Sequence, residues 1–440
     1  MLQDDPPIRL AKTILDFNWT GEYTRPGPRL YPHQWSWDSA FIAIGYARYD
    51  QDRGMRELRH LFESQWTNGL LPHEVHDPRL AGDSGGLGFW EAKISPHAPR
   101  DRQTSGEIQP PLHAIATLRI YQHAEDRKDA RAFLEEVFPR LKAWHEYLHR
   151  ERDPEGEGLV YIRHPWESGM DNSPIWDSIM QRIQLEPNQI PDYQRSDTKF
   201  VPAQDRPKDA EYDRYAYLVK LFTERGYDEA RIRQDCPFLV QDALFNALLS
   251  QSDRDLAEIA RVLGEDSSPF EDRANRSARA MNDKLWDEEH ATYLDFDLAD
   301  DRPLRVFTAS GFLPLYAGVP DEDQARRIVA KLESSGYGLG KGSGVRAVPS
   351  YDPYGYGFSP ERYWRGPVWI NIDWLLMRGL ERYGYHEQAD HLRQTIVDLV
   401  KNEGFHEYFD PTSGSGHGSG FFCWTAALFL DVSLDTKGQG

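Results

Sequence analysis

The chain has 440 residues, 39% of them hydrophobic and 28% charged, with a formal net charge of −20. That apolar share supports a sizeable core, in one large domain or two or three ordinary ones, while the acidic surplus argues against nucleic acid and anionic membrane surfaces as partners. Cys236 and Cys423 are the only cysteines, so there is no disulfide framework or zinc quartet, as in a reducing compartment.

No apolar run approaches the roughly 20 residues that span a bilayer. Residues 1–7 lack the basic start and apolar stretch of a secretion signal, so the expected location is cytoplasmic. The glycosylation sequons at Asn18 and Asn275 are then chance matches.

Apolar spacing predicts helices at about 38–50, 54–66, 108–124, 133–148, 212–225, 240–249, 253–264, 270–285, 321–334, 366–384, 386–402 and 420–431. Phe133, Leu134, Val137, Phe138, Leu141, Trp144 and Leu148 carry the clearest i, i+3/i+4 pattern. Two-residue alternation is confined to Tyr293–Phe296, read as a small hairpin. Several helices precede the same punctuation of acidic turn, short aromatic stretch and small polar residues, a weak internal repeat without fixed period. The expected class is all-α, an (α/α)6 barrel or toroid of helix pairs with long rim loops and short β-hairpins. We expect residues 1–440 to form a single domain with a lid-like excursion at about 172–210. Within it, Glu186 to Asp209 carries Pro187, Pro191, Pro202 and Pro207, and a structureless loop of that length usually crosses a binding site. Gly336 to Gly357 is a second candidate mobile loop.

The aromatic content, 13 Trp, 22 Tyr and 20 Phe, is concentrated in polar motifs rather than on helical stripes. Flat rings beside carboxylates suit a sugar, which has apolar C–H faces and a hydroxyl rim. In Trp166-Glu167-Ser168-Gly169-Met170-Asp171-Asn172, glycine permits a sharp turn from which Asp171 projects. Near Trp166, Met170 and Trp176 its carboxyl is partly desolvated, which raises its pKa and suits a general acid. The plainer alternative is a helix N-cap at Asp171 or Asn172, with Asp177 an equal candidate. Glu407, in Gly404-Phe405-His406-Glu407-Tyr408-Phe409-Asp410 before the glycine run Gly414–Gly420, is a candidate general base on a loop; Glu403 and Asp410 are its rivals.

Tyr31, Trp35, Trp37 and Asp38 place two indoles beside an acid that either binds hydroxyls or caps a helix starting at Ser39. Gln109-Pro110-Pro111 reads as a helix start, leaving Gln109 to reach a ligand or cap. In Glu361–Trp369, with Tyr363, Trp364 and Trp369, Arg365 either orients the catalytic loop or contacts substrate. The histidines show no HExxH spacing, and GxSxG, P-loop and GxGxxG signatures are missing, so no metal, cofactor or serine nucleophile is expected.

In order and combination, these motifs resemble the inverting α/α-barrel glycosidases of glycoside hydrolase family 63, in the bacterial branch that hydrolyses glucosylglycerate and mannosylglycerate. The resemblance runs through YPHQWSWDSAF, QWTNGLLPHEV, TSGEIQPPLHA, WESGMDNSPIWD, YDRYAYL, YWRGPVWINIDWLL and HEYFDP…FFCWTAALF, over nearly the whole chain. It implies Asp171 as general acid and Glu407 as general base. It implies a sugar subsite of Tyr31, Trp35, Trp37, Asp38, His73, Gln109, Trp166, Gly169 and Trp369, with Trp364 beside it. Arg206, Tyr212 and Tyr363 match positions holding a carboxylate-bearing aglycone. The segment Gly82 to Arg102 and the run Gly414–Gly420 depart most from the family pattern. The expected partner is a small sugar substrate, with self-association left open. Inversion requires about 6.5–9.5 Å between the two carboxyls, against about 5 Å for a retaining nucleophile. The alternatives are an α-glucosidase for neutral glucosides or oligosaccharides and, from other classes, a non-catalytic carbohydrate-binding barrel or an isoprenoid-type barrel.

Overall fold

The computed structural model describes residues 5–80, 90–195, 197–334, 336–340 and 342–435. The first residues of the stretch inspected for a leader, and residues 82–89 of the divergent segment, lie outside the described residues.

The helices in chain order are α1 (Pro6–Asn18), α2 (Ser36–Tyr46), α3 (Gln51–Phe62), α4 (His113–His123), α5 (Arg127–Glu151), α6 (Asp177–Arg182), α7 (Asp209–Glu224), α8 (Glu229–Asp235), α9 (Ala243–Leu263), α10 (Ser268–Ala280), α11 (Glu322–Leu332), α12 (Ile370–Arg382), α13 (His386–Glu403) and α14 (Cys423–Ser433). A tight 3-10 segment, Ala309–Leu315 with Pro314 inside it, also has every residue buried. The inner members α2, α4, α9, Ala309–Leu315, α12 and α14 pack each on the next, and α14 returns onto α2 to close a ring. In the sequence they alternate with α1, α3, α5, α10, α11 and α13, and α6–α8 lie between α5 and α9. This is an (α/α)6 barrel. The inner helices are apolar almost all round: every residue of α2 is buried, as is nearly all of α14. By contrast α3 and α11 bury a single stripe.

Strands are short two- to five-residue ribbons on the rim. They include β1 (Gln34–Trp35) paired antiparallel with β2 (Glu74–Val75), and a hairpin of His406–Phe409 with Gly416–Gly420. The Tyr293–Phe296 alternation is not one hairpin: Thr292–Tyr293 pairs with Trp286–Asp287, while Phe296–Asp297 pairs with Val240–Gln241 and Arg302–Pro303. None of the described helices is long and apolar enough to cross a membrane.

Several expected boundaries move for identifiable reasons. The helices expected at 240–249 and 253–264 are one helix, α9. The polar run Ser250–Asp253 resembles a break, but its side chains are consumed inside the protein: Ser250 Oγ donates to the Ala274 carbonyl, Ser252 meets His145, and Asp253 bonds His145 and His149. α4 starts at His113, not near 108, because a residue preceding proline is driven out of the helical region and two such residues adjoin here. α2 starts at Ser36, so Asp38 lies in its first turn and is not its cap. The expected helix from 420 starts at Cys423, since Gly416–Gly420 is strand. The apolar spacing did not signal α1, α6 or α8.

Ring closure is tight at one point. A Cβ placed on Gly45 of α2 would lie 2.4 Å from Ala427 Cα of α14. Gly45→Ala should therefore separate the two helices and lower stability by about 1–3 kcal/mol, measurable as a reduced midpoint in denaturant unfolding.

Candidate functional site

A cavity of about 130 Å³ opens at the rim end where α2, α4, α12 and α14 begin. One water needs about 10–15 Å³ of such space, so a pyranose ring is accommodated. Its walls gather Tyr31, Trp35, Trp37, Asp38, His73, Gln109, Trp166, Gly169, Asp171, Arg206, Tyr212, Tyr363 and Glu407 from the sequence-derived set. Trp364 and Trp369 do not line it. They are fully buried, stacked on each other at 3.7 Å and 3°, with the Trp369 ring against Tyr363 at 5.2 Å. They therefore support the wall from behind, and Trp364 holds a left-handed backbone (φ 58°) to do so. Five wall residues were not anticipated: Leu30, Glu74, Asp197, Phe422 and Trp424.

Asp171 is no helix cap. It follows a left-handed turn at Gly169 (φ +74°), where a Cβ would come within 2.5 Å of the Trp37 ring. Tyr215 donates to the Asp171 backbone carbonyl at 2.8 Å, and Trp176 Nε1 donates to the Met170 carbonyl at 2.9 Å. Upstream, Glu167 is completely buried and accepts two bonds from Arg152, both 2.8 Å, plus the Arg163 amide at 2.8 Å. Downstream, Arg365 grips the Asp177 carboxylate with both Nη groups and bonds the Asn172 carbonyl at 3.2 Å. Arg365 thus orients the loop. The Asp171 carboxyl is pushed up to about 7 by burial; Arg206 opposes this and the Glu407 charge adds to it.

Glu407 lies on a strand rather than a loop. Its hairpin is tied to the segment before α12 through paired backbone bonds between Val368 and Phe409. Tyr31 donates to Glu407 Oε1 at 2.5 Å, the Ser419 amide donates to Oε2 at 2.9 Å, and Arg206 Nη1 lies 4.0 Å from Oε1. Burial raises the pKa of this carboxyl above the usual range, and these three groups hold it back. The glycine run has a steric purpose: at Gly418 (φ +70°) a Cβ would lie 2.4 Å from Glu407 Oε2.

Arg206 stacks on Tyr363 at 3.8 Å, donates to Tyr31 at 3.5 Å and bonds Asp197 at 3.2 Å. Arg195, over the Tyr212 ring at 4.0 Å, also clasps Asp197. Segment 186–209 therefore reaches the cavity through Asp197 and Arg206. Gln109 does cap, but on another helix: its Oε1 accepts the Trp37 amide at 3.0 Å in the first turn of α2. His73 contacts Ser105 at 3.1 Å and stacks on Trp166; burial lowers its pKa to about 4, so it is neutral. Asp38 is driven well above the carboxylate range by burial, with Glu407 and Glu57 adding to it.

The structure also assembles two cation-ligand-type groups that sequence spacing did not reveal, His33–Glu74–His76 and Glu361–Asp410–His417. In the first, His33 Nδ1 accepts the Asp77 amide at 3.1 Å, so in the neutral ring Nε2 carries the hydrogen and has no lone pair for a metal. In the second, Asp410 Oδ1 is taken up by the Thr412 and Ser413 amides.

Residues 31–425 match the model of the mannosylglycerate hydrolase MGH1-like glycoside hydrolase domain. The chain is 60% identical to mannosylglycerate hydrolase from Rubrobacter radiotolerans, covering 99% of this chain and 100% of that protein. It is 38% identical to glucosylglycerate hydrolase from Mycolicibacterium hassiacum, with 96% of each chain covered. The crystal structure of the GH63 mannosylglycerate hydrolase from Thermus thermophilus in complex with Tris and D-glycerate superposes with a TM-score of 0.89 at 39% identity, covering 97% of this chain and 99% of that one.

The Arg152–Glu167 pair carries the loop that bears Asp171. Glu167→Gln should cost about 1.5–3 kcal/mol, because buried Arg152 and Arg163 would then keep only the Glu229 carboxylate, at 3.2 and 3.3 Å, read as the loss in chemical-denaturation stability.

Proposed function

The chain belongs to the mannosylglycerate hydrolase MGH1-like glycoside hydrolase family, and from that premise we propose that it hydrolyses the α-glycosidic bond of mannosylglycerate or glucosylglycerate with inversion, Asp171 acting as general acid and Glu407 as general base. The observation that carries the reading is that these two carboxyls, 236 positions apart in sequence (407 − 171), line one cavity among aromatic rings. We read residues 1–440 as a single catalytic barrel, with the excursion at about 172–210 contributing Arg206 to the substrate site.

The two carboxyls are tuned apart. Among the described residues Asp171 has no ion pair, and burial pushes its carboxyl up to about 7, so it retains the proton to be given to the leaving glycosidic oxygen. Glu407 is held toward the ionised form by Tyr31, the Ser419 amide and Arg206, so it is the group to deprotonate a water attacking the anomeric carbon from the opposite face. Trp35, Trp37 and Trp166 supply apolar surface for the sugar ring, and Arg206, a permanently charged planar donor, suits the glycerate carboxylate.

Asp171→Asn and Glu407→Gln should each fold and lose about 10²–10⁴-fold in kcat. NMR of the first-released sugar should show the β anomer, whereas an α anomer would overturn inversion. The profile of kcat/KM should fall as pH rises through about 7, because Asp171 must be protonated. Tyr31→Phe removes a donor that favours ionised Glu407, so the acid limb should move to higher pH while the alkaline limb stays. Arg206→Ala should raise KM for glycerate glycosides at least about ten-fold more than for neutral α-glucosides, which should feel only the loss of its charge beside Glu407. Equal loss on both classes would remove Arg206 from recognition of the acid.

A further inference from the structure

One carboxyl in the cavity wall takes no part in the chemistry above. Glu74 stands directly opposite Trp35 across the β1–β2 ribbon, so both side chains leave the same face, and both line the cavity. Glu74 is 5% exposed. Among the described residues its carboxyl makes no hydrogen bond, and Oε1 is buried without a partner. Oε1 lies 4.0 Å from His33 Nε2 and Oε2 lies 3.8 Å from His76 Nε2, both beyond hydrogen-bonding reach. The two imidazoles stack at 4.8 Å, and His33 stacks on Trp35 at 6.0 Å. Glu74 is thus backed by an aromatic stack and forms part of the cavity wall. A buried polar group without a partner is unfavourable unless the occupant of the cavity supplies one.

We propose that Glu74 is a sugar-recognition residue: its carboxyl, set against the His33–His76 stack, hydrogen-bonds a hydroxyl of the pyranose bound for hydrolysis. This rests on reading the cavity as a glycoside site. The titratable groups around Glu74 are His33, His73, His76 and Glu107. His73 and His76 are held neutral by burial, lowered to about 4 and about 3, and Glu107 is itself driven far upward. No Arg or Lys among the described residues pairs with Glu74. Burial raises its pKa to about 8, so near neutrality it is an uncharged acid that both donates and accepts, as a sugar hydroxyl does. An uncharged group is also compatible with an anionic substrate beside Asp38 and Glu407.

The test compares Glu74→Gln, which keeps shape and both hydrogen-bonding senses, with Glu74→Leu, which removes them. The measurements are kcat and KM on mannosylglycerate and glucosylglycerate, calorimetric Kd for D-mannose and D-glucose, and thermal unfolding of each variant. Glu74→Leu should raise KM and monosaccharide Kd roughly ten- to hundred-fold and change kcat by less than about threefold. Wild type should show a rise in KM above about pH 8, and Glu74→Gln should stay near the wild-type KM at neutrality and lack that rise. Unchanged KM and Kd in Glu74→Leu would overturn the proposal, as would kcat losses in both variants at constant KM. Should Glu74→Leu fail to fold, Glu74→Gln decides: persistence of the alkaline rise in KM overturns it. A wild-type protein inactive on both glycosides would defeat the proposed function, while monosaccharide binding would still decide the role of Glu74.

Discussion

Closure of the helix ring by α14 on α2 is the constraint from which the site follows. Gly45 and Ala427 let the two backbones meet without an intervening side chain. That contact brings Tyr31 and Trp35 before α2, and Asp38 in its first turn, beside Glu407 and Phe422 before α14, and Trp424 in its first turn. Because the cavity residues come from connections leading into inner helices, they sit at one mouth of the barrel, over the amino-terminal ends of α2, α4, α12 and α14. Those helix ends carry partial positive charge, which favours negative charge in the cavity.

Burial then sets the electrostatics. Asp38, Glu74, Asp171 and Glu407 are all shifted upward by desolvation, and what differs is compensation. Glu407 receives a phenol and an amide and has a guanidinium nearby. Asp171 has mainly the more distant influence of Arg206. This unequal compensation is the basis on which Asp171 is proposed as the acid and Glu407 as the base. The surrounding charges are not interchangeable with these. Glu167 is saturated by Arg152 and Arg163 and serves to anchor the turn that aims Asp171.

The motifs themselves were legible in the sequence because sugar chemistry clusters aromatics, small residues and acids within short windows: Tyr31–Asp38, Trp166–Asn172 and Phe405–Asp410 were each visible locally. What was not legible depended on contacts across the chain. Glu407 read as a loop residue because its partner strand, Gly416–Gly420, is mostly glycine and carries no alternating pattern. Trp364 and Trp369 read as ligand-facing because of their polar neighbours, yet they are wall supports. Asp197 and Glu74 gave no local signal, since each becomes a cavity residue only through Arg206 or through pairing with Trp35. The helix periods were read well where stripes were one-sided. The reading failed at α9, whose polar middle is satisfied by α5 and α10.

The chain order of the ring bears on how the enzyme is born. A ribosome releases α2 long before α14, so the nascent protein carries Asp171 and most of the cavity-lining aromatics well before it carries Glu407 or the helix that seals the ring. Until α14 leaves the exit tunnel, the apolar face of α2 that it packs on lacks that cover and the cavity wall is incomplete. A complete cavity therefore forms only once α14 has emerged, and a chain stalled short of it exposes apolar surface on α2.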